Sequence, residues 1–276
     1  MTYCLNQRTI LITGSTGGLG RVLASALRAK GARLALLDIN LEVAAVQARE
    51  LGGPEFVRAW QADVRSLHSL EVAVAGASQH FGGIDVVIAN AGIDVVAPME
   101  SIDPVIFERV IDINLNGVWR TFRAALPQVR ERKGYLLAIS SMAAFIHSPL
   151  QAHYVASKAG VWAMCDSIRL ELHHQGVGVG SVHPTFFQTP MMAKVHADKA
   201  GAKLWGGNQS GLWKMIAIEE VVDGIVRGIE NRSDMVVLPR RNTMVAKAAG
   251  LFRPVVERLG FKRAEIKEVI ALAGKS

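Results

Sequence analysis

Seven short runs of apolar and β-branched residues, Thr9–Thr13, Arg33–Asp38, Phe56–Ala62, Val86–Asn90, Tyr135–Ser140, Val177–His183 and Met235–Leu238, are mostly separated by stretches long enough for a helix. This alternation constrains the chain more than any other feature. Parallel neighbouring strands need a crossover of a dozen or more residues, and a helix supplies it. The pattern predicts an α/β fold: a doubly wound parallel sheet of about seven strands with helices on both faces. Ligands of such sheets bind outside the carboxyl ends of the strands, where the strand order reverses.

With 276 residues, half of them apolar, the chain can bury one large core. No internal repeat or low-complexity linker divides it, so a single domain over residues 1–239 is expected, followed by a different segment over 240–276. Thr189–Trp213 lacks clear periodicity and carries Met191, Met192, Trp205 and Trp213, the pattern of a long loop or lid near 189–213. The final segment holds nine Lys/Arg against three Asp/Glu, most of the net +7. From Met244, apolar residues recur at Val245, Ala248, Leu251, Phe252, Val255, Val256 and Leu259, bordered by Arg240, Arg241, Lys247, Arg253, Arg258, Lys262 and Arg263. That is a basic amphipathic helical extension, which Pro254 is expected to divide into two shorter helices. It either packs on the body or a sister subunit, or lies on an anionic membrane surface.

Composition narrows the setting. No aromatic stacking platform accompanies the basic charge, so a nucleic-acid partner is not expected. The apolar runs are too short to span a bilayer, and the N-terminal run passes directly into a glycine turn without a basic leader. Cys4 and Cys165 show no metal-ligand spacing and fit a reducing compartment. A cytoplasmic protein without a metal is expected, with peripheral membrane contact through the tail as an option.

The first strand leads into "ILITGSTGGLGRVLASAL", where Gly14, Gly18 and Gly20 lie between a strand and an amphipathic helix. Backbone amides and a helix N-terminus can there face a pyrophosphate without side-chain obstruction, which makes the sheet Rossmann-type. Asp38 closes the second apolar run, where a carboxylate can accept hydrogen bonds from both adenine-ribose hydroxyls. Neither Gly17 nor Ile39 supplies a cation for a 2′-phosphate, so NAD is favoured over NADP. Further along, "HYVASKAG" sets Tyr154 and Lys158 one helical turn apart. A lysine so placed can bias a phenol toward phenolate, which suggests a base; the plainer alternative is a solvated pair on an outer face.

Together, T-G-x3-G-x-G at Thr13–Gly20, "NAG" at Asn90–Gly92, Asn114, Ser141, Tyr154 and Lys158 resemble the short-chain dehydrogenase/reductase family over roughly Arg8 to Leu238. The resemblance implies a catalytic set of Asn114, Ser141, Tyr154 and Lys158. Tyr154 would be general base/acid, Ser141 would hold the substrate oxygen, Lys158 the nicotinamide ribose, and Asn114 a relay water. Ser140 is a weaker rival to Ser141. The implied cofactor contacts are Gly14, Ser15, Thr16, Gly18, Leu19, Gly20, Asp38, Asp63, Val64, Asn90, Ala91, Gly92, Tyr154, Lys158, Pro184 and Thr189. One motif departs: "HPTFFQTP" carries Thr185 where the family has glycine, and a β-branched residue does not easily take positive φ.

Val95, Val96, Met142, Phe145, Phe186, Phe187, Met191 and Trp205 belong to segments near the reacting carbon and favour an apolar substrate. His147 and His153 are expected to be structural or pocket-edge residues. The expected function is an NAD-dependent oxidoreductase interconverting an apolar secondary alcohol and its ketone, assembled as a homodimer or homotetramer. The alternative is a catalytically silent dinucleotide-sensing or scaffold protein of the same fold. That reading should be accompanied by damage to Ser141, Tyr154 or Lys158, and none is damaged. A nucleotide-sugar epimerase or dehydratase would need a larger C-terminal substrate domain.

Overall fold

The computed structural model describes residues 2–273, leaving aside the side chains of Leu212, Arg263 and Ala264. Seven strands form one sheet: β1 (Thr9–Thr13), β2 (Arg33–Asp38), β3 (Val57–Gln61), β4 (Val86–Ala89), β5 (Tyr135–Ile139), β6 (Gly178–Pro184) and β7 (Met235–Leu238). Every pairing is parallel, in the order β3-β2-β1-β4-β5-β6-β7. Strands covered on both faces read as unbroken apolar runs, which is why β1, β4 and β5 are buried throughout.

The first six helices are α1 (Gly18–Ala29), α2 (Leu41–Glu50), α3 (Leu67–Phe81), α4 (Pro104–Ile111), α5 (Gly117–Glu131) and α6 (Ala152–Leu172). The other six are α7 (Pro190–Ala197), α8 (Lys199–Trp205), α9 (Ile218–Glu230), α10 (Thr243–Lys247), α11 (Ala249–Gly260) and α12 (Arg263–Ala273). Successive strand residues point to opposite faces. Ile10, Ile12, Leu34 and Leu36 therefore pack with Leu23 and Leu27 of α1 and Ile225 and Ile229 of α9. Leu11, Leu37 and Val87 pack on the other face with Leu70 of α3, Phe122 of α5 and Val161 of α6. Each fully buried Leu or Ile contributes roughly 1.5–3 kcal/mol. The strand order reverses at β1, whose neighbours β2 and β4 are reached by opposite crossovers, and the crevice opens there.

Two expectations are corrected. Thr189–Trp213 is mainly helical: α7 and α8 are followed by single 3-10 turns at Gly206–Asn208 and Gly211–Trp213. The side chains of Thr189 and Asp198 cap the two helices by accepting from the N–H groups of Met192 and Gly201. About two turns each is too short for a 3.6-residue period to emerge. The tail forms three helices, not two. Its first break falls at Ala248, whose ψ of 43° leaves the helical region, while Pro254 lies inside α11. The proline removes one backbone donor there without ending the helix, which lies on the body as an otherwise continuous three-turn element.

The tail packs on the domain. Val269 of α12 is buried with Leu150 and Ala200, and Phe261 stacks on Trp213 with ring centres 5.2 Å apart.

Candidate active site

The glycine turn is shaped by close approach. Gly14 has φ +63°, and a Cβ there would stand 2.8 Å from the Ala91 Cα; a Cβ on Gly20 would collide with the Gly14 carbonyl oxygen. Within the turn, the Ser15 N–H donates to the Leu37 carbonyl, the Thr16 N–H to Asp38 Oδ2 and the Gly17 N–H to the Gly14 carbonyl. The N–H groups of Gly18, Leu19 and Gly20, the first turn of α1, have no acceptor within the helix. Gly17 precedes them without a capping side chain, and no acidic residue stands in that turn. The result is an open helix N-terminus beside the crevice, suited to an anion. The Ser15 hydroxyl is buried in the same turn and has no partner among the described residues.

Asp38 and Asn90 fasten this turn from the ends of β2 and β4. Asp38 Oδ2 also accepts from the Thr16 hydroxyl at 2.8 Å, and Oδ1 from the Asn40 N–H at 3.1 Å. The Asn90 amide donates to the Thr13 and Gly14 carbonyls at 3.0 and 2.9 Å. These residues fit a dinucleotide: free amides for a pyrophosphate, and a carboxylate one strand away for ribose hydroxyls.

Deeper in the crevice, Ser141 follows β5 and accepts from the Ala143 N–H at 3.1 Å. Tyr154 lies beside Ser141, and Lys158 lies one turn further along α6, its Nζ 5.5 Å from the Tyr154 ring centre. Lys158 Nζ donates to the Ile139 carbonyl at 2.9 Å, and the Ser140 hydroxyl donates to the Lys158 carbonyl at 2.8 Å. Ser140 thus braces α6, while the Ser141 hydroxyl meets Tyr154.

Burial dominates the electrostatics. It holds Tyr154 well above the ordinary phenol range, with the Asp94 charge adding to the rise and the Ser141 hydrogen bond opposing it. Burial also lowers Lys158 to about 8, against the pull of Asp94. The phenol is therefore the resting form of Tyr154 in this geometry.

Asn114 is fully buried within a π-helical turn at Asp112–Asn116. Its Oδ1 accepts from the Ile93 N–H at 2.8 Å, and its Nδ2 donates to the Ile93 carbonyl at 2.9 Å and to the Ser157 hydroxyl at 3.2 Å. The side chain is committed to joining the "NAG" segment to α6.

One cavity of about 580 Å³ joins these parts. Of the residues singled out from sequence, Thr16, Gly18, Leu19, Asn90, Gly92, Ser141, Tyr154, Lys158, Pro184 and Thr189 line it. Gly14, Ser15, Gly20, Asp38, Ala91 and Asn114 are not part of its lining. Asp63 and Val64 are not brought into the wall: Arg65 grips both Asp63 oxygens and holds that carboxyl below its ordinary range, and Val64 packs beneath Gly117. Thr185 needs no positive φ, because its N–H donates to the Leu238 carbonyl at 2.8 Å and prolongs the β6–β7 ladder.

Among the apolar candidates, Met142, Phe186, Phe187, Met191 and Trp205 line the cavity. Phe145 is instead buried against Trp162 and His183, and Val96 packs with Leu150. The Val95 carbonyl faces His153 Nε2 at 2.9 Å, which makes His153 a structural residue, and the His147 N–H meets Glu257 at 3.4 Å.

Sequence reasoning missed three features. His183 Nδ1 donates to the Ser141 carbonyl, and its Nε2 accepts from the Ser181 hydroxyl; burial pushes the ring down to about 4, so it braces Ser141 as a neutral imidazole. Asp94 and Gln151 put a polar group into the wall, and the only sequence signal was a carboxylate in the apolar run after "NAG". The tail contributes Asn242, Val245, Val256 and Phe261 to the cavity, which helical periodicity could not locate.

A family model described as short chain dehydrogenase matches residues 8–200. The chain is 34% identical over 206 residues to 3β-hydroxysteroid dehydrogenase 1 of Eggerthella lenta, covering 70% of this chain and 76% of that one. It is 30% identical over 197 residues to D-β-hydroxybutyrate dehydrogenase of Rhizobium meliloti, covering 70% and 76%. The crystal structure of a short-chain dehydrogenase/reductase (glucose/ribitol dehydrogenase) from Brucella melitensis matches with a TM-score of 0.76 at 29% identity, covering 86% of this chain and 96% of that one.

Proposed function

The chain belongs to the short-chain dehydrogenase/reductase family and is an oxidoreductase; on that premise we propose that it interconverts an apolar secondary alcohol and its ketone, with NAD as the preferred cofactor. The observation that carries this reading is the single cavity running from the open N-terminus of α1, past Ser141, Tyr154 and Lys158, to a wall of Met142, Phe186, Met191 and Trp205.

When bound, the nicotinamide supplies the hydride acceptor for alcohol oxidation or the donor for ketone reduction. The N–H groups of Gly18, Leu19 and Gly20 would hold its pyrophosphate. Asp38 would receive the ribose hydroxyls and repel a 2′-phosphate, which supports NAD over NADP. In ketone reduction, Tyr154 gives its phenolic proton to the carbonyl oxygen while the Ser141 hydroxyl steadies that oxygen. In alcohol oxidation Tyr154 takes the proton back, and a protonated Lys158 favours the phenolate.

A screen of apolar alcohols and ketones with both nicotinamide cofactors, read by absorbance of the reduced ring, tests the proposal. Cofactor binding without turnover of any compound would instead support the silent, dinucleotide-sensing reading.

The proposal extends to partners. Val105, Ile106 and Phe107 of α4 and Trp119 of α5 are exposed, which supports a homodimer or homotetramer closing over these helices. Leu251, Val255 and Leu259 of α11 are 73%, 57% and 66% exposed on one stripe, with Arg253, Arg258 and Lys262 nearby. That combination supports a tail whose inner face walls the cavity and whose outer face rests on an anionic membrane surface. Among the described residues no helix is long and apolar enough to cross a membrane. A cytoplasmic location belongs to the same proposal, supported by the free thiols of Cys4 and Cys165.

A further inference from the structure

One carboxyl group stands in the wall of this otherwise mainly apolar cavity. Asp94, on the segment that leaves β4, lines it together with Ser141, Tyr154 and Lys158. Its Oδ1 accepts from the Val95 N–H at 2.8 Å and its Oδ2 from the Gln151 amide at 2.5 Å. Gln151 is buried at the start of α6, and its carbonyl oxygen receives the Ser148 hydroxyl at 2.7 Å, so its N–H donors face Asp94. A carboxylate can accept about four hydrogen bonds. Two are used by these neighbours, and the half-buried Asp94 keeps its remaining capacity on the cavity side.

The surroundings say what could meet that capacity. Burial pushes the Asp94 carboxyl up to about 7 by penalising its charged form, which gains from an added hydrogen-bond donor and loses from an added anion. The cations in the lining are Lys158, already donating to Ile139, and Lys194, which is exposed. Neither neutralises Asp94 through a direct ion pair.

We infer that Asp94 is a substrate-contacting specificity residue that accepts a hydrogen bond from a second hydroxyl of the substrate. The inference rests on the dehydrogenase reading above and narrows its substrate class. The preferred substrate is a neutral, largely apolar molecule with two oxygens, one reacting beside Tyr154 and one bearing the hydrogen that Asp94 receives. A free carboxylic acid would bring its anion against Asp94 and is disfavoured, in contrast to the hydroxybutyrate for which the Rhizobium relative is named.

The test compares octan-2-one with octan-2-ones carrying a hydroxyl on carbon 1, 3 or 4, and with the methyl ethers of those hydroxyketones. Reduction by the full-length enzyme is followed with both reduced cofactors. At least one hydroxyketone should exceed octan-2-one in kcat/KM by about tenfold, and methylation of its hydroxyl should remove the advantage. Asp94→Leu should lower kcat/KM for that hydroxyketone about tenfold more than for octan-2-one; Asp94→Asn, closer in shape, should narrow the same ratio. A role confined to holding Gln151 would lower both substrates alike. Reduction of octan-2-one with no preference for any hydroxyketone overturns the inference, as does a preference that survives methylation or persists in both variants. If no ketone in the set is reduced with either cofactor, the dehydrogenase reading fails first and this inference falls with it.

Discussion

Replacing Phe261 with alanine tests whether the tail is part of the substrate site. The Phe261 ring stacks on Trp213 at 5.2 Å and 27°, and meets Trp205 edge-on at 5.8 Å and 71°. Two such pairs at roughly 0.5–1.5 kcal/mol each give about 2 kcal/mol in favour of the packed tail. That corresponds to a factor of roughly thirty in the ratio of packed to released tail. If an apolar substrate binds only with the wall in place, its apparent affinity falls with the packed fraction. The KM for an apolar ketone should therefore rise between about threefold and thirtyfold, with kcat held within about twofold because Phe261 touches neither Ser141, Tyr154 nor Lys158. Steady-state rates give the first readout. Tryptophan emission gives the second, since the buried Trp205 and half-buried Trp213 should shift to longer wavelength as the ring is removed. Unchanged KM together with unchanged emission would refute the packed wall.

Tyr154→Phe should lower turnover by about a hundredfold or more while the Kd for NADH changes little, because the proton donor goes and the glycine turn stays; near-wild-type turnover rules out the proposed proton transfer. The wild-type enzyme should show the higher kcat/KM with NAD, and Asp38→Asn should narrow its preference over NADP, a comparison that fails if wild type favours NADP. Because burial keeps Tyr154 protonated and Lys158 loses its charge through about 8, ketone reduction should be strong at neutral pH and fall in alkali. Alcohol oxidation should rise as the phenolate becomes accessible, so an oxidation rate that peaks in acid contradicts this assignment. Full-length protein should co-sediment with anionic vesicles and less with neutral ones at low salt, and deletion of residues 241–276 should abolish the difference. Binding to neither type, with a dimer bridged by α11, would assign the exposed stripe to a sister subunit.

Much of this molecule is written in local chemistry. The seven strands fall within a residue or so of the seven apolar runs, because strand period, helix length and glycine punctuation act over a few neighbours. Gly14, Gly18 and Gly20 mark the turn for the same reason, and Tyr154 and Lys158 share a helical face by spacing alone. Short helices were less legible: α7 and α8 carry caps at Thr189 and Asp198, yet neither is long enough to show its period. Pro254 misled because one lost backbone donor bears only on its own turn, whereas the path of the tail is set by what Phe261 and Val269 pack against.

The sequence by itself therefore determined the parallel sheet, the glycine turn after β1 and the spacing that sets Tyr154 and Lys158 on one face of α6. Only the tertiary structure decided that Asn114 is tied to Ile93 and Ser157, that Asp94 enters the cavity wall beside Gln151, and that α10, α11 and Phe261 help enclose the cavity. Burial in that closed structure also raises Tyr154 above the ordinary phenol range. Period and spacing depend on neighbours along the chain, but burial and wall contacts depend on which distant segments exclude water from the same point, and that is settled only when the sheet, the helices and the tail close around it.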